Sequence, residues 1–189
     1  MQAAWLHKTS NQVNRQEQGL SLIELMIVLA LAAILLGIAI PSFQSLVVRN
    51  HLTATTNTLV FSLQTARSEA IKRALPAGVC TSNNSLDADA GCAAGSGYVG
   101  GWIAYIDDNS NGSRDAGEEI VMAVEDRGAG FTITPDAQFT SQVYFDESGG
   151  SANPAGVPLS GSIGITYGDG SESRTIEISA TGRVSSAAL

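Results

Sequence analysis

The sequence predicts an α+β fold, in which one long N-terminal helix carries an antiparallel β-rich head. Three observations predict it. An apolar run opens at Leu20, a helical period continues behind it to about residue 75, and beyond Val79 short β-branched runs alternate with Gly, Asn, Asp and Pro. The chain divides accordingly into a polar segment 1–19, a helix 20–75 and a head 76–189.

The apolar run reads LSLIELMIVLALAAILLGIAIP, and Leu25 to Ile40 is uninterrupted by any polar side chain. Those residues, at about 1.5 Å each, span roughly 24 Å, and Leu20 to Glu24 bring the helix near the ~30 Å of a hydrocarbon core. A secretory signal would be followed by a small-x-small cleavage site, and Ala39-Ile40-Pro41-Ser42 is a poor match. A plain membrane anchor, with Lys8 and Arg15 on the cytoplasmic side, is the alternative. Glu24 fits neither reading, because an acidic side chain inside an apolar span costs roughly 2.5–3.5 kcal/mol on insertion scales. Cleavage before Leu20 would create an α-amino group four residues upstream, and that amine on a neighbouring copy would neutralise Glu24.

Behind Pro41, Leu52, Leu59, Leu63, Ala66 and Ala70 fall on one helical face, while Arg49, Gln64, Arg67 and Lys72 lie off it. Glu69 and Arg73 form an i,i+4 pair of favourable polarity, and Pro76-Ala77-Gly78 ends the helix. Pro41, with Gly37 nearby, is expected to kink it. In the head, strands are expected at Tyr98–Ile106, Glu119–Val124, Phe131–Thr134, Gln142–Asp146, Ser162–Tyr167 and Arg174–Ser179, arranged as two sheets packed on the C-terminal half of the helix. Residues 147–160 are Gly/Pro/Ser-rich and read as a loop.

Charge excludes some functions. From Cys80 onward there are 15 Asp and Glu against four Arg, a net of −11, within a whole-chain charge of −8. Such a field opposes generic nucleic-acid binding, which rests on Lys and Arg neutralising phosphates. That same stretch contains no His, nucleophile elbow or phosphate loop, so no catalytic constellation assembles and no enzyme activity is expected. Cys80 and Cys92 close a short loop as a disulfide if the compartment is oxidising, worth roughly 3 kcal/mol; two free thiols are the alternative. The segment 107–118 carries calcium-loop spacing, with Asp107, Asn109, Asn111 and Asp115 at positions 1, 3, 5 and 9, Gly112 at 6 and Glu118 at 12. Its flanks read as strands and Asn-Gly is a hairpin signal, so a metal-free polar hairpin is the favoured reading. No other cofactor is expected.

Gln18-Gly19-Leu20-Ser21-Leu22-Ile23-Glu24-Leu25 resembles the class III signal of type IV prepilins, and Pro41 stands where that family has a helix-bending proline. The resemblance implies the type IV pilin fold, a leader 1–19 cut between Gly19 and Leu20 by a prepilin peptidase, N-methylation of Leu20, and a salt-bridging role for Glu24. Ala66-Arg67-Ser68-Glu69-Ala70-Ile71, the stretch Gly101–Asp107 followed by Asn109-Ser110-Asn111-Gly112, and Gly182-Arg183 resemble the GspH/FimT group. That group contains minor pilins of type IV pili and minor pseudopilins of type II secretion. It implies an inner-membrane protein with a periplasmic head, whose partners are other pilins or pseudopilins. The expected function is a minor pilin helping to initiate or cap a pilus, with the pseudopilin as alternative. A DNA-uptake receptor is the weakest reading, because DNA-binding members resemble Gly-Arg-x-Arg and Ser185 replaces the second Arg here.

Overall fold

A computed structural model of the chain describes residues 21–93, 95, 97–170 and 172–188. The cleavage and methylation positions Gly19 and Leu20 lie outside the described residues. The chain divides into two compact units, 1–43 and 44–189. One helix, α1 (Leu22–Arg73), contributes to both. Helical backbone continues through Gly37 and Pro41, so one helix rather than two occupies this stretch.

In the first unit Ser21 caps the helix. Its Oγ accepts the Glu24 backbone N–H at 3.3 Å, and its carbonyl accepts the Leu25 N–H at 3.1 Å. Ser fits this place because its side chain satisfies one of the four N–H groups left over at a helix start. Glu24 lies in the first turn, where a carboxylate also suits the helix dipole. The large apolar side chains from Leu22 to Ile38, together with Phe43, are exposed. The segment is long and apolar enough to cross a membrane.

In the second unit Leu52, Leu59, Leu63, Ala66 and Ala70 are buried, as their spacing predicts. Each large apolar side chain removed from water contributes about 1.5–3 kcal/mol before entropy is counted. The helix stops at Arg73, two residues before the predicted end. Ala74 takes a left-handed φ of 52°, and the Leu75 N–H reaches back to the Ala70 carbonyl at 3.3 Å. This is a Schellman closure with alanine where glycine is usual.

Eight strands follow: β1 (Ala77–Thr81), β2 (Trp102–Ile106), β3 (Ile120–Val124), β4 (Phe131–Pro135), β5 (Gln142–Phe145), β6 (Gly161–Tyr167), β7 (Glu172–Ile178) and β8 (Val184–Ala188). They make two four-stranded sheets, ordered β3-β2-β1-β5 and β4-β6-β7-β8. Every pairing is antiparallel. Five of the six runs read from sequence are strands within two residues of their expected bounds; the first is a strand only over Trp102–Ile106, because Tyr98–Gly100 forms a 3-10 turn that ends at Gly101 with φ 110°, and β1 and β8 are additional.

β2 alternates between two cores. Trp102, Ala104 and Ile106 join the helix and Ile133, Ile163, Ile165, Ile176 and Ile178 of the second sheet in the main core. Ile103 and Tyr105 point to the opposite face, where with Cys80, Ala90 and Ile120 they form a second, smaller core. Gly78 sits under the Tyr105 ring, and a Cβ there would approach the ring to 2.6 Å. The central strand must therefore be thin at that point.

Candidate functional site

The helix end, with the motif Ala66–Ile71, is tied to the head by charged and polar side chains on the helix flanks. Arg67 donates from Nε to the Gly149 carbonyl at 2.8 Å and from Nη2 to the Thr181 carbonyl at 3.0 Å. One guanidinium thus holds the loop after β5 and the turn between β7 and β8 against α1. Gly182 lies in that turn at φ 74°, and a Cβ there would run into the Gly149 carbonyl. The Arg67 of one sequence motif and the Gly182 of another therefore belong to one clamp. Glu69 accepts from Lys72 at 2.9 Å and from Arg73 at 3.0 Å, and Arg73 holds Glu119 in a two-pronged pair at 2.6 and 2.9 Å. Hydrogen bonds from Lys72 and Arg73 lower the Glu69 pKa, and Arg73 lowers that of Glu119. Inside the core, the Trp102 indole N–H donates to Ser62 Oγ at 2.8 Å.

Cys80 and Cys92 form a disulfide, with Cα atoms 5.6 Å apart. It closes the loop after β1 over the second core, to which that loop contributes Ala90.

The loop from Asp107 to Glu118 closes on its own backbone. Asp107 is buried; its carboxylate accepts the Asn111 N–H at 3.0 Å, the Gly112 N–H at 2.7 Å and the Tyr144 hydroxyl at 2.6 Å. Burial, reinforced by that carboxylate, raises the Tyr144 pKa and keeps it a donor. Glu118 accepts the Asp108 N–H at 3.0 Å and the Asp115 N–H at 2.8 Å. Asn109 and Asn111 turn amide nitrogens, at 2.8 and 2.6 Å, toward Asp115, whose pKa these two contacts lower. The calcium-type spacing thus brings the five residues together as a hydrogen-bonded loop. Among the described residues no group of three or more His, Cys, Asp or Glu is placed to hold a metal ion.

Arg183 follows Gly182 at the entry to β8. Its backbone N–H and carbonyl pair with Ser179, and its side chain is exposed. Ser185 stands opposite Glu177 in the β7–β8 ladder. Position 185 therefore carries a small hydroxyl opposite a carboxylate.

Sequence reasoning missed the Ser21 cap, the bonds of Arg67 and the Tyr144–Asp107 contact. Ser21-x-x-Glu24 was available as a capping signal. The other two join residues far apart in the chain, and no local pattern announces them.

Residues 55–182 match the family described as type II transport protein GspH, and residues 14–40 match the prokaryotic N-terminal methylation motif. No curated protein matches the chain. Two crystal structures of the type IV minor pilin FimU of Pseudomonas aeruginosa are similar to the chain. One, at 20% identity and TM-score 0.50, covers 72% of this chain and 88% of the pilin; the other, at 18% and 0.49, covers 73% and 97%. The long N-terminal helix followed by two antiparallel sheets is the type IV pilin fold. With more than half of its length matched, the chain belongs to the GspH family, and its N-terminal part matches the prokaryotic N-terminal methylation motif.

Proposed function

We propose that the chain is a minor pilin, cut between Gly19 and Leu20, methylated on Leu20 and assembled through α1 into a type IV pilus whose growth it helps to initiate or whose tip it caps. The observation that carries this reading is the exposed apolar start of α1 behind a methylation motif, with Glu24 as the one carboxylate in its first turn. An apolar surface of that extent needs lipid or neighbouring helices to cover it. Within a filament of such helices, the α-amine of one subunit neutralises Glu24 of the next, and Pro41 bends each helix to fit. The head then lies in the periplasm and the anchor in the inner membrane. A prepilin peptidase and other pilins are the partners. The likeness to a minor pilin in fold supports the pilus assignment.

A second reading, a minor pseudopilin of type II secretion, is favoured by the description of the matching family. Deletion separates the two: loss of twitching motility marks the pilus, loss of enzyme secretion the pseudopilus. DNA reception has the least support, given Ser185 and the acidic head.

Intact mass of the membrane-extracted protein should show loss of residues 1–19 and gain of one methyl group; an uncut chain would sink the assignment. Glu24→Val should insert into the membrane as well as the parent, or better, since an apolar side chain relieves the insertion cost. Its incorporation into filaments should fall severely. Normal incorporation would refute the amine–carboxylate pairing while leaving processing intact.

A further inference from the structure

We infer that the free edge of β8 is a docking site for an extended segment of another polypeptide, one that carries a carboxylate and a basic side chain two residues apart on one face. Register decides which backbone groups β8 offers. The Ser179 N–H donates to the carbonyl of Arg183, which stands directly opposite, at 3.0 Å. Hydrogen-bonded and non-bonded pairs alternate along an antiparallel ladder from there. Ser185 and Ala187 therefore bond to β7, while the N–H and C=O groups of Val184, Ser186 and Ala188 point away from it. Among the described residues no strand covers that side, and Ser186 and Ala187 are exposed.

Open edges invite pairing, and proteins blunt them with charge, proline, bulges or a covering chain. The other three edges of this head are blunted. β3 has a shifted register at Ala104 and Tyr105 and is flanked by Glu119 and Glu125. β4 ends in Pro135, and β5 is crossed by Ser151 and Ala152, the latter donating its N–H to the Tyr144 carbonyl at 3.1 Å. β8, with sequence VSSAA, has no charged side chain, proline or register shift. Charge selects the occupant. Glu177, Arg183 and Ser185 line a groove of about 380 Å³ on the face turned away from the main core. Glu177 and Arg183 are exposed, and neither has an ion-pair partner among the described residues. A strand added to β8 lies about 4.8 Å from Ser185 and about twice that from Glu177, so a Lys or Arg beside the small Ser185 reaches across it to Glu177. A carboxylate two residues along faces Arg183. A second copy of β8 supplies neither charge from its own strand, and it brings another head of net −11. Main-chain bonds give such strand addition its affinity, and the side-chain pairs give it selectivity. No residue of α1 takes part, so docking here is independent of assembly through the helix.

The test uses the full chain, 15N-labelled, in detergent micelles, with the peptide acetyl-Val-Thr-Thr-Lys-Val-Glu-amide. Laid antiparallel on β8, this peptide puts its Lys beside Ser185 and its Glu beside Arg183, and it has no net charge. Without peptide, the amides of Val184 and Ser186 should exchange with solvent much faster than those of Ser185 and Ala187. Saturating peptide should slow Val184 and Ser186 severalfold. A peptide N-methylated on its third and fifth residues, whose N–H groups face β8, should not slow them. Methylation of the second and fourth, which face away, should be tolerated. Exchanging the Lys and Glu should raise the half-saturating concentration severalfold, and Glu177→Gln should narrow that difference. Ser186→Pro, which removes one outward N–H and leaves the ladder to β7 in place, should abolish binding. The methylated peptides make the same test on the parent chain, whatever that variant does to folding. No slowing by the unmethylated peptide, or equal slowing by the one methylated at the facing positions, removes the site. Equal binding of the two charge orders overturns the acid–base selection. Protection of Val184 and Ser186 that rises with protein concentration in the absence of peptide gives the edge to a second copy, and overturns the proposal.

Discussion

At the scale of single residues, the family motifs acquire physical reasons. Gly182 is needed because its φ of 74° is one that L side chains rarely adopt, and because the Gly149 carbonyl fills the place of a side chain. Gly182→Ala should therefore destabilise the head by at least the ~1–3 kcal/mol of a strained backbone position, with the collision added. For a chain of this size, 1 kcal/mol is about 2–4 °C, so the melting temperature should fall by several degrees. A fall smaller than about 1 °C would mean that the turn relaxes freely and that the Arg67 clamp does not hold it. Glu24 is also sharpened at this scale. As a side chain in the first helical turn it has a local attraction to the helix N-terminus, besides any attraction to a neighbour's amine. Helix start and the proposed filament contact thus favour the same residue.

At the scale of elements, what the sequence made legible depended on whether a local period survived. The buried stripe of α1 was readable because Leu52, Leu59, Leu63, Ala66 and Ala70 repeat at helical spacing among the polar residues of the second half of the helix. β6 and β7 were readable because Ile163, Ile165, Ile176 and Ile178 alternate inward. β1 was not, although it is a central strand. All five of its residues are buried, so AGVCT has no polar partner positions to alternate with. β8, with sequence VSSAA, lacks the apolar contrast a strand signal needs. The Asp107–Glu118 loop shows a different limit. Its spacing was legible, but spacing does not say which way the oxygens turn. In the structure the carboxylates of Asp107 and Glu118 accept backbone N–H groups, and two Asn amides face Asp115. A loop already satisfied in this way gains little from a cation. Calcium at millimolar concentration should leave the melting temperature of the full chain in micelles unchanged; a calcium-dependent rise would show that the loop reorganises into a metal site.

At the scale of the whole molecule, two electrostatic effects oppose one another as pH falls, and their order can be predicted. Hydrogen bonds and ion pairs lower the pKa values of Glu69 and Glu119 below their ordinary 4.5, and of Asp115 below 3.8. Asp146 is held below 3.8 as well: burial works against ionisation there, but bonds from Ser148, Gly149 and Gly150 outweigh it. A carboxylate with a depressed folded-state pKa contributes stability that is complete above its unfolded value and disappears as pH falls through the folded one. That loss belongs below about pH 4.5. The net charge acts earlier. With −8 at pH 7 and an isoelectric point near 4.6, the chain sheds self-repulsion over the interval before those carboxylates protonate. The melting temperature of the full chain in micelles should therefore rise modestly from pH 7 toward pH 5 and then fall. Salt should raise it at pH 7, by screening the repulsion, and raise it less at pH 5. Asp146→Asn should flatten the acid limb and leave the neutral limb in place. A melting temperature that falls steadily from pH 7, with no maximum on the acid side, would mean that local pairing outweighs self-repulsion across the whole range. The acidity of the head would then contribute to its stability instead of opposing it.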